Sequence, residues 1–68
     1  MYKLRWVNET GGDWMYDGNA YADLEQAEAA AMAAYADEYI DEDDIVQAWQ
    51  VDEDGNTLGD DPVQEFSN

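Results

Sequence analysis

Beyond Arg5 the chain carries no cationic side chain. Lys3 and Arg5 stand against 18 Asp and Glu, with no histidine, so the formal net charge is -16 over 68 residues. Any compact form must bring carboxylates together with almost no cations to offset them, and self-repulsion opposes that form. A chain of this length makes one small domain with a thin core. Without cysteine it has neither a disulfide framework nor a thiolate metal site to hold it.

The core must come from few side chains. Apolar residues make up 46% of the sequence, but many are alanine. The large aliphatics are Leu4, Val7, Leu24, Ile40, Ile45, Val46, Val51, Leu58 and Val63. Aromatics must supply much of the rest: Tyr2, Trp6, Trp14, Tyr16, Tyr21, Tyr35, Tyr39, Trp49 and Phe66. Disordered chains are poor in aromatics, so this richness favours a fold. The core is expected around Trp6, Leu24, Ala31, Tyr35 and Trp49.

Residues 2–7 alternate, with Tyr2, Leu4 and Trp6 on one face and Lys3 and Arg5 on the other, as in a half-buried strand. A turn-rich segment, 8–12, leads to a second strand over 13–17 with Trp14 and Tyr16 on one face. Asp23, with Gln26 three residues on, reads as the N-cap of a helix from Leu24 to Tyr39. Its buried stripe is Leu24, Ala27, Ala31, Tyr35 and Tyr39. Four acids, 41–44, follow, against the preference of a helix C-terminus for cations. Residues 45–51 read as a central strand, apolar on both faces. A turn at 52–56 leads to a short fourth strand at Thr57-Leu58. The expected fold is α+β: a two-layer domain with an antiparallel sheet of three to four strands, order β-β-α-β-β, and one helix packed on one face. Residues 1–62 form the domain and 63–68 a C-terminal tail.

The residue types present argue against several function classes. With no His or Cys, and Lys3 the only lysine, the chain lacks the usual bases and nucleophiles; carboxylate pairs abound by chance alone. The expectation is a protein without catalytic residues, cofactor or metal centre. Asp52-Glu53-Asp54-Gly55 resembles part of a calcium loop, but its first position is Gln50 and its twelfth is Asp61 rather than glutamate, so a hairpin turn is the better reading. No basic start precedes an apolar run, which points away from a signal peptide and toward a cytoplasmic location. Nucleic acid and anionic membranes would repel the chain. Its partner should be a basic protein, met by a monomer.

Three acidic clusters are the candidate binding residues: Asp41, Glu42, Asp43 and Asp44; Asp52, Glu53 and Asp54; Asp60 and Asp61. A strand of about seven residues places the first two about 20–25 Å apart. At this length the radius of gyration is about 11 Å and the diameter about 28 Å. Duplex DNA of that length carries roughly 16 phosphates. A groove shaped for phosphates would bind such a surface and release counterions from both sides.

In composition over its whole length, and locally in Asp41-Glu42-Asp43-Asp44 and Asp52-Glu53-Asp54, the chain resembles phage-encoded acidic DNA-mimic inhibitors of the anti-CRISPR and anti-restriction class. The resemblance rests on no sequence motif and implies no residue-by-residue correspondence. It implies stoichiometric occlusion of a DNA- or RNA-binding site in a bacterial defence nuclease or CRISPR surveillance complex, in the host cytoplasm. The alternative reading is a small domain of a halophile, whose charge serves salt adaptation and whose function is unrelated.

Overall fold

The computed structural model describes all residues, 1–68. It contains five strands and one helix: β1 (Tyr2–Asn8), β2 (Gly11–Trp14), β3 (Ala20–Tyr21), α1 (Leu24–Ala36), β4 (Ile45–Gln50) and β5 (Gln64–Phe66). The strands form one antiparallel sheet in the order β2-β1-β4-β5, with β3 sharing the outer edge of β1 with β2. The fold is α+β in two layers, one helix lying across one face of the sheet. The radius of gyration is 11.0 Å and the longest axis 30 Å.

The first hairpin is tighter than its glycines implied. Asn8 pairs with Gly11, leaving only Glu9 and Thr10 in the turn. The Asn8 side chain closes it, its Oδ1 accepting from the Thr10 amide at 2.9 Å and the Thr10 hydroxyl at 2.7 Å. Gly12 is needed for close approach: a Cβ there would lie 2.3 Å from the Trp6 carbonyl oxygen. The second strand stops at Trp14. Met15 then dives into the core at 1% exposure, at the start of a tight turn over Met15–Gly18. Tyr16 is therefore turned outward instead of continuing a strand face with Trp14.

The helix begins as its sequence dictates, with the Asp23 carboxylate accepting from the Gln26 amide at 2.8 Å. It ends a turn earlier than the tyrosine spacing implied. The Glu38 amide donates to the Tyr35 carbonyl and the Tyr39 amide to the Ala34 carbonyl, which is a Schellman closure with Glu38 at φ 59°. Glycine usually fills that position, because a Cβ clashes with the backbone there. Glu38→Gly should raise stability by about 1–2 kcal/mol. A melting curve should show it as a gain of about 4–8 °C per kcal/mol.

Ala27, Ala31 and Ala34 are fully buried, so α1 lies close on the sheet. Close approach selects small partners. Leu4, Val46 and Ala48 fill the interface, with Met15, Tyr35, Ile40 and Phe66 around them. This places Trp49 on the opposite face, paired with Lys3, and corrects its expected place in the core. Trp6 and Leu24 are only partly buried against the core, and of the aromatics only Tyr35 and Phe66 are buried in it. Thr57 makes one bridge to Val51 rather than starting a strand. The C-terminal strand is β5, within the segment read as a tail. It pairs with β4 through Val46–Phe66, Gln47–Glu65 and Ala48–Gln64, and Phe66 closes the core at 5% exposure.

Candidate functional site

The helix-free face of the sheet accounts for both cations. Register puts Lys3, Arg5, Trp14, Gln47, Trp49 and Glu65 on it together. Trp14 and Trp49 meet edge to face with centroids 6.4 Å apart. Lys3 Nζ lies 5.8 Å and Arg5 Cζ 6.0 Å from the centre of the Trp14 ring. Lys3 also donates to the Gly55 carbonyl at 3.0 Å. The Trp49 indole donates to Gln47 Oε1 and the Gln47 amide to Glu65. The long stems thus cover the face that no helix covers, as a second small packed layer. The cations contact aromatic rings and a backbone carbonyl and are not spent on carboxylates.

The rest of the surface is anionic. Of the 18 Asp and Glu, all but Asp44 and Asp52 are exposed. The acidic clusters occupy distinct places. Asp41–Asp44 precede β4 and Asp52–Asp54 follow it, so they lie at opposite ends of the sheet. Asp60 and Asp61 sit in a loop leaving the flank of β4, between the Leu58 amide on Gln50 and the Val63 amide on Ala48.

Asp44 departs from its expected role as a contact residue. It is 6% exposed. Its carboxylate accepts from Asn8 Nδ2 and the Asp41 amide, both at 3.1 Å, and its carbonyl accepts from the Tyr35 hydroxyl. It holds the loop to the core, and both its carboxylate oxygens are engaged within the chain. Burial, with the nearby Asp44 charge, also pushes the Tyr35 phenol above its ordinary pKa. Asp52 is half-buried and also serves the backbone, because its Oδ1 accepts from the amides of Asp54 and Asn56 and shapes the turn. No group of three or more acidic side chains is gathered there, or elsewhere, in the manner of metal ligands. Glu53, Asp54, Asp60 and Asp61 are exposed, as are Asp41, Glu42 and Asp43.

Two acids join the first cluster that sequence clustering alone did not assign to it. Glu9 lines a groove of about 600 Å³ with Asp41 and Asp43, and Glu38 shares another of about 340 Å³ with Asp41 and Glu42. The signal for Glu9 lay in the register: Val7 opposite Ile45 brings the first turn beside Asp43. Five exposed carboxylates thus converge at one end of the molecule.

No protein-family model matches the sequence, and neither curated proteins nor solved structures give a match. No helix is long and apolar enough to cross a membrane.

Proposed function

We propose that the chain is an acidic nucleic-acid mimic that docks on a basic DNA- or RNA-binding protein and occludes its nucleic-acid site, acting by binding rather than catalysis. The observation that carries this reading is the uncompensated carboxylate surface: all the acids but Asp44 and Asp52 are exposed while both cations are held against Trp14. Duplex DNA of 30 Å, the longest axis of the molecule, carries roughly 18 phosphates, close to the number of acids left exposed when Asp44 and Asp52 are set aside from the chain's 18. Association with a phosphate-binding groove would release counterions from both surfaces. In line with the resemblance in composition, the target is a bacterial defence nuclease or CRISPR surveillance complex, met in the host cytoplasm by a phage-encoded inhibitor.

The test is a nucleic-acid competition assay on such complexes across a salt series, beside thermal melts in the same buffers. The protein should displace nucleic acid at stoichiometric concentrations, with affinity falling steeply as salt rises. It should also melt cooperatively at about 0.15 M salt, where the Debye length is about 8 Å. A chain that competes with nucleic acid on no basic target, and folds only near 1 M salt, carries its charge for salt adaptation instead.

A further inference from the structure

The acidic clusters explain attraction to a basic surface but not what fixes position on it. A second feature does. Tyr16 and Tyr39 stack on the surface with ring centroids 4.4 Å apart and planes at 26°. They are 38% and 48% exposed. Their placement is imposed by the backbone. Tyr16, Asp17 and Glu38 are the chain's only non-glycine residues at positive φ, at 51°, 55° and 59°. Two of them form the turn that carries Tyr16, and the third immediately precedes Tyr39. The Tyr16 amide also donates to the Tyr39 hydroxyl at 3.1 Å, which ties one residue to the other. Strained conformations concentrated at one exposed point mark a candidate contact site, and rings fixed in advance lose little freedom on binding.

The surroundings select the ligand. Asp17, Asp37, Glu38 and Asp41 flank the pair in sequence and are exposed; Lys3 reaches Gly18 beside Asp17, but its ammonium is engaged by the Gly55 carbonyl. Partial burial, then Tyr21, Tyr39 and Asp37, push the Tyr16 phenol above its ordinary pKa; it is the negative faces of the rings and the exposed acids around them that disfavour an anion. Tyr39 also lines a cleft of about 340 Å³ with Trp6, Asn8, Ile40, Asp41 and Asp44. Asp44 is engaged by Asn8 and by the Asp41 amide, which leaves the exposed Asp41 carboxylate as the free anion at the rim. Aromatic faces, a cleft lined equally by apolar (Trp6, Tyr39, Ile40) and polar side chains, and the free Asp41 carboxylate suit a planar, delocalised cation on an apolar stem. That is arginine more than lysine, whose compact ammonium neither stacks nor forks onto a carboxylate.

We propose that the Tyr16–Tyr39 stack and the adjoining cleft between Tyr39 and Trp6 form a receptor for an arginine side chain of the basic partner. The choice of partner rests on the mimic reading. The geometry of the receptor does not.

Two capped peptides of equal length and charge, a Gly-Arg repeat and a Gly-Lys repeat, provide the probe. In an NMR titration the Gly-Arg peptide should bind about five- to tenfold tighter and shift the ring signals of Tyr16 and Tyr39 in preference to those of Trp14 and Trp49. Tyr16→Leu with Tyr39→Leu should bring the two affinities together while leaving the salt-sensitive binding common to both. Equal affinity of the parent for the two peptides, or tyrosine rings that do not respond, overturns the receptor. The ring shifts belong to the parent protein and decide the matter even if the double variant does not fold. An arginine preference in a protein that fails to compete with nucleic acid would retain the receptor and remove the mimic function. Competition without an arginine preference would do the reverse.

Discussion

Tyr35→Ala is expected to abolish the cooperative fold at ordinary salt. Tyr35 is 8% exposed and joins three parts of the molecule. Its ring packs with the alanine stripe of α1 in the core cluster. Its hydroxyl donates to the Asp44 carbonyl and lies 3.4 Å from the Phe66 carbonyl, so it ties the helix to the loop before β4 and to β5. Truncating a buried aromatic costs about 3–5 kcal/mol. A chain of this length has roughly 3–10 kcal/mol to lose, before the self-repulsion of its charge is counted. Amide NMR dispersion and the cooperative melt should both disappear. A variant that melts within a few degrees of the parent would show that the core does not depend on this residue.

Tyr35→Phe separates the hydroxyl from the ring. It leaves the Asp44 carbonyl without its donor, at a cost of about 1–3 kcal/mol near neutral pH. It also changes the alkaline limb. The folded-state pKa of Tyr35 is raised above 10.0. The stability linked to its neutral form is therefore fully present below pH 10.0 and lost as pH rises through the folded value. Tyr16, raised for reasons that also begin with burial, acts in the same window. Melts across that range should fall less steeply for Tyr35→Phe than for the parent, with the Tyr16 contribution remaining.

Element type was legible in the sequence because its signals are local. Alternation in 2–7, the Asp23 cap and the apolar run at 45–50 each fix an element without reference to the others. What failed was long-range. Both faces of β4 are apolar, so alternation alone does not say which one meets the helix. Large residues suggested the Trp49 face, but an alanine stripe permits close approach and so requires Val46 and Ala48 inward. The β5 strand has one apolar anchor, Phe66, and its existence depends on an edge of β4 that only the folded sheet exposes. Among the candidate binding residues the exposed acids lie where composition alone put them, on loops. Asp44 and, in part, Asp52 are the exceptions: the burial of Asp44 depends on Asn8 and Tyr35 meeting it across the fold, and Asp52 is half-buried over the turn it shapes. The Tyr16–Tyr39 pair had no sequence signal at all: the two residues come together through the Met15 anchor and the early end of α1.

Replacing Asp44 and neutralising its three neighbours are expected to act in opposite directions. In Asp44→Asn the side-chain oxygen can still accept from Asn8, but the amide group would then face the Asp41 N–H, donor against donor. The loss should be about 1–3 kcal/mol of stability, with little direct effect on binding because the carboxylate is already covered. Asp41→Asn, Glu42→Gln and Asp43→Asn together remove three exposed charges just beyond the C-terminus of α1. That end of a helix disfavours negative charge, so stability should hold or rise by a few tenths of a kcal/mol up to about 1 kcal/mol. Competition with nucleic acid should weaken in steps, each pair desolvated against the partner contributing about 1.5 kcal/mol or more, roughly tenfold in affinity. The contrast matters because the four acids are contiguous in sequence. A charge kept for a partner loses binding and spares the fold when neutralised; a charge kept for the fold does the opposite. The measurement is the competition assay beside a thermal melt of each variant. If the triple variant competes as well as the parent, the end of the molecule formed by Glu9 and Asp41–Asp43 is a solvated loop, and the contact lies at the Asp52–Asp54 end or the Asp60–Asp61 flank.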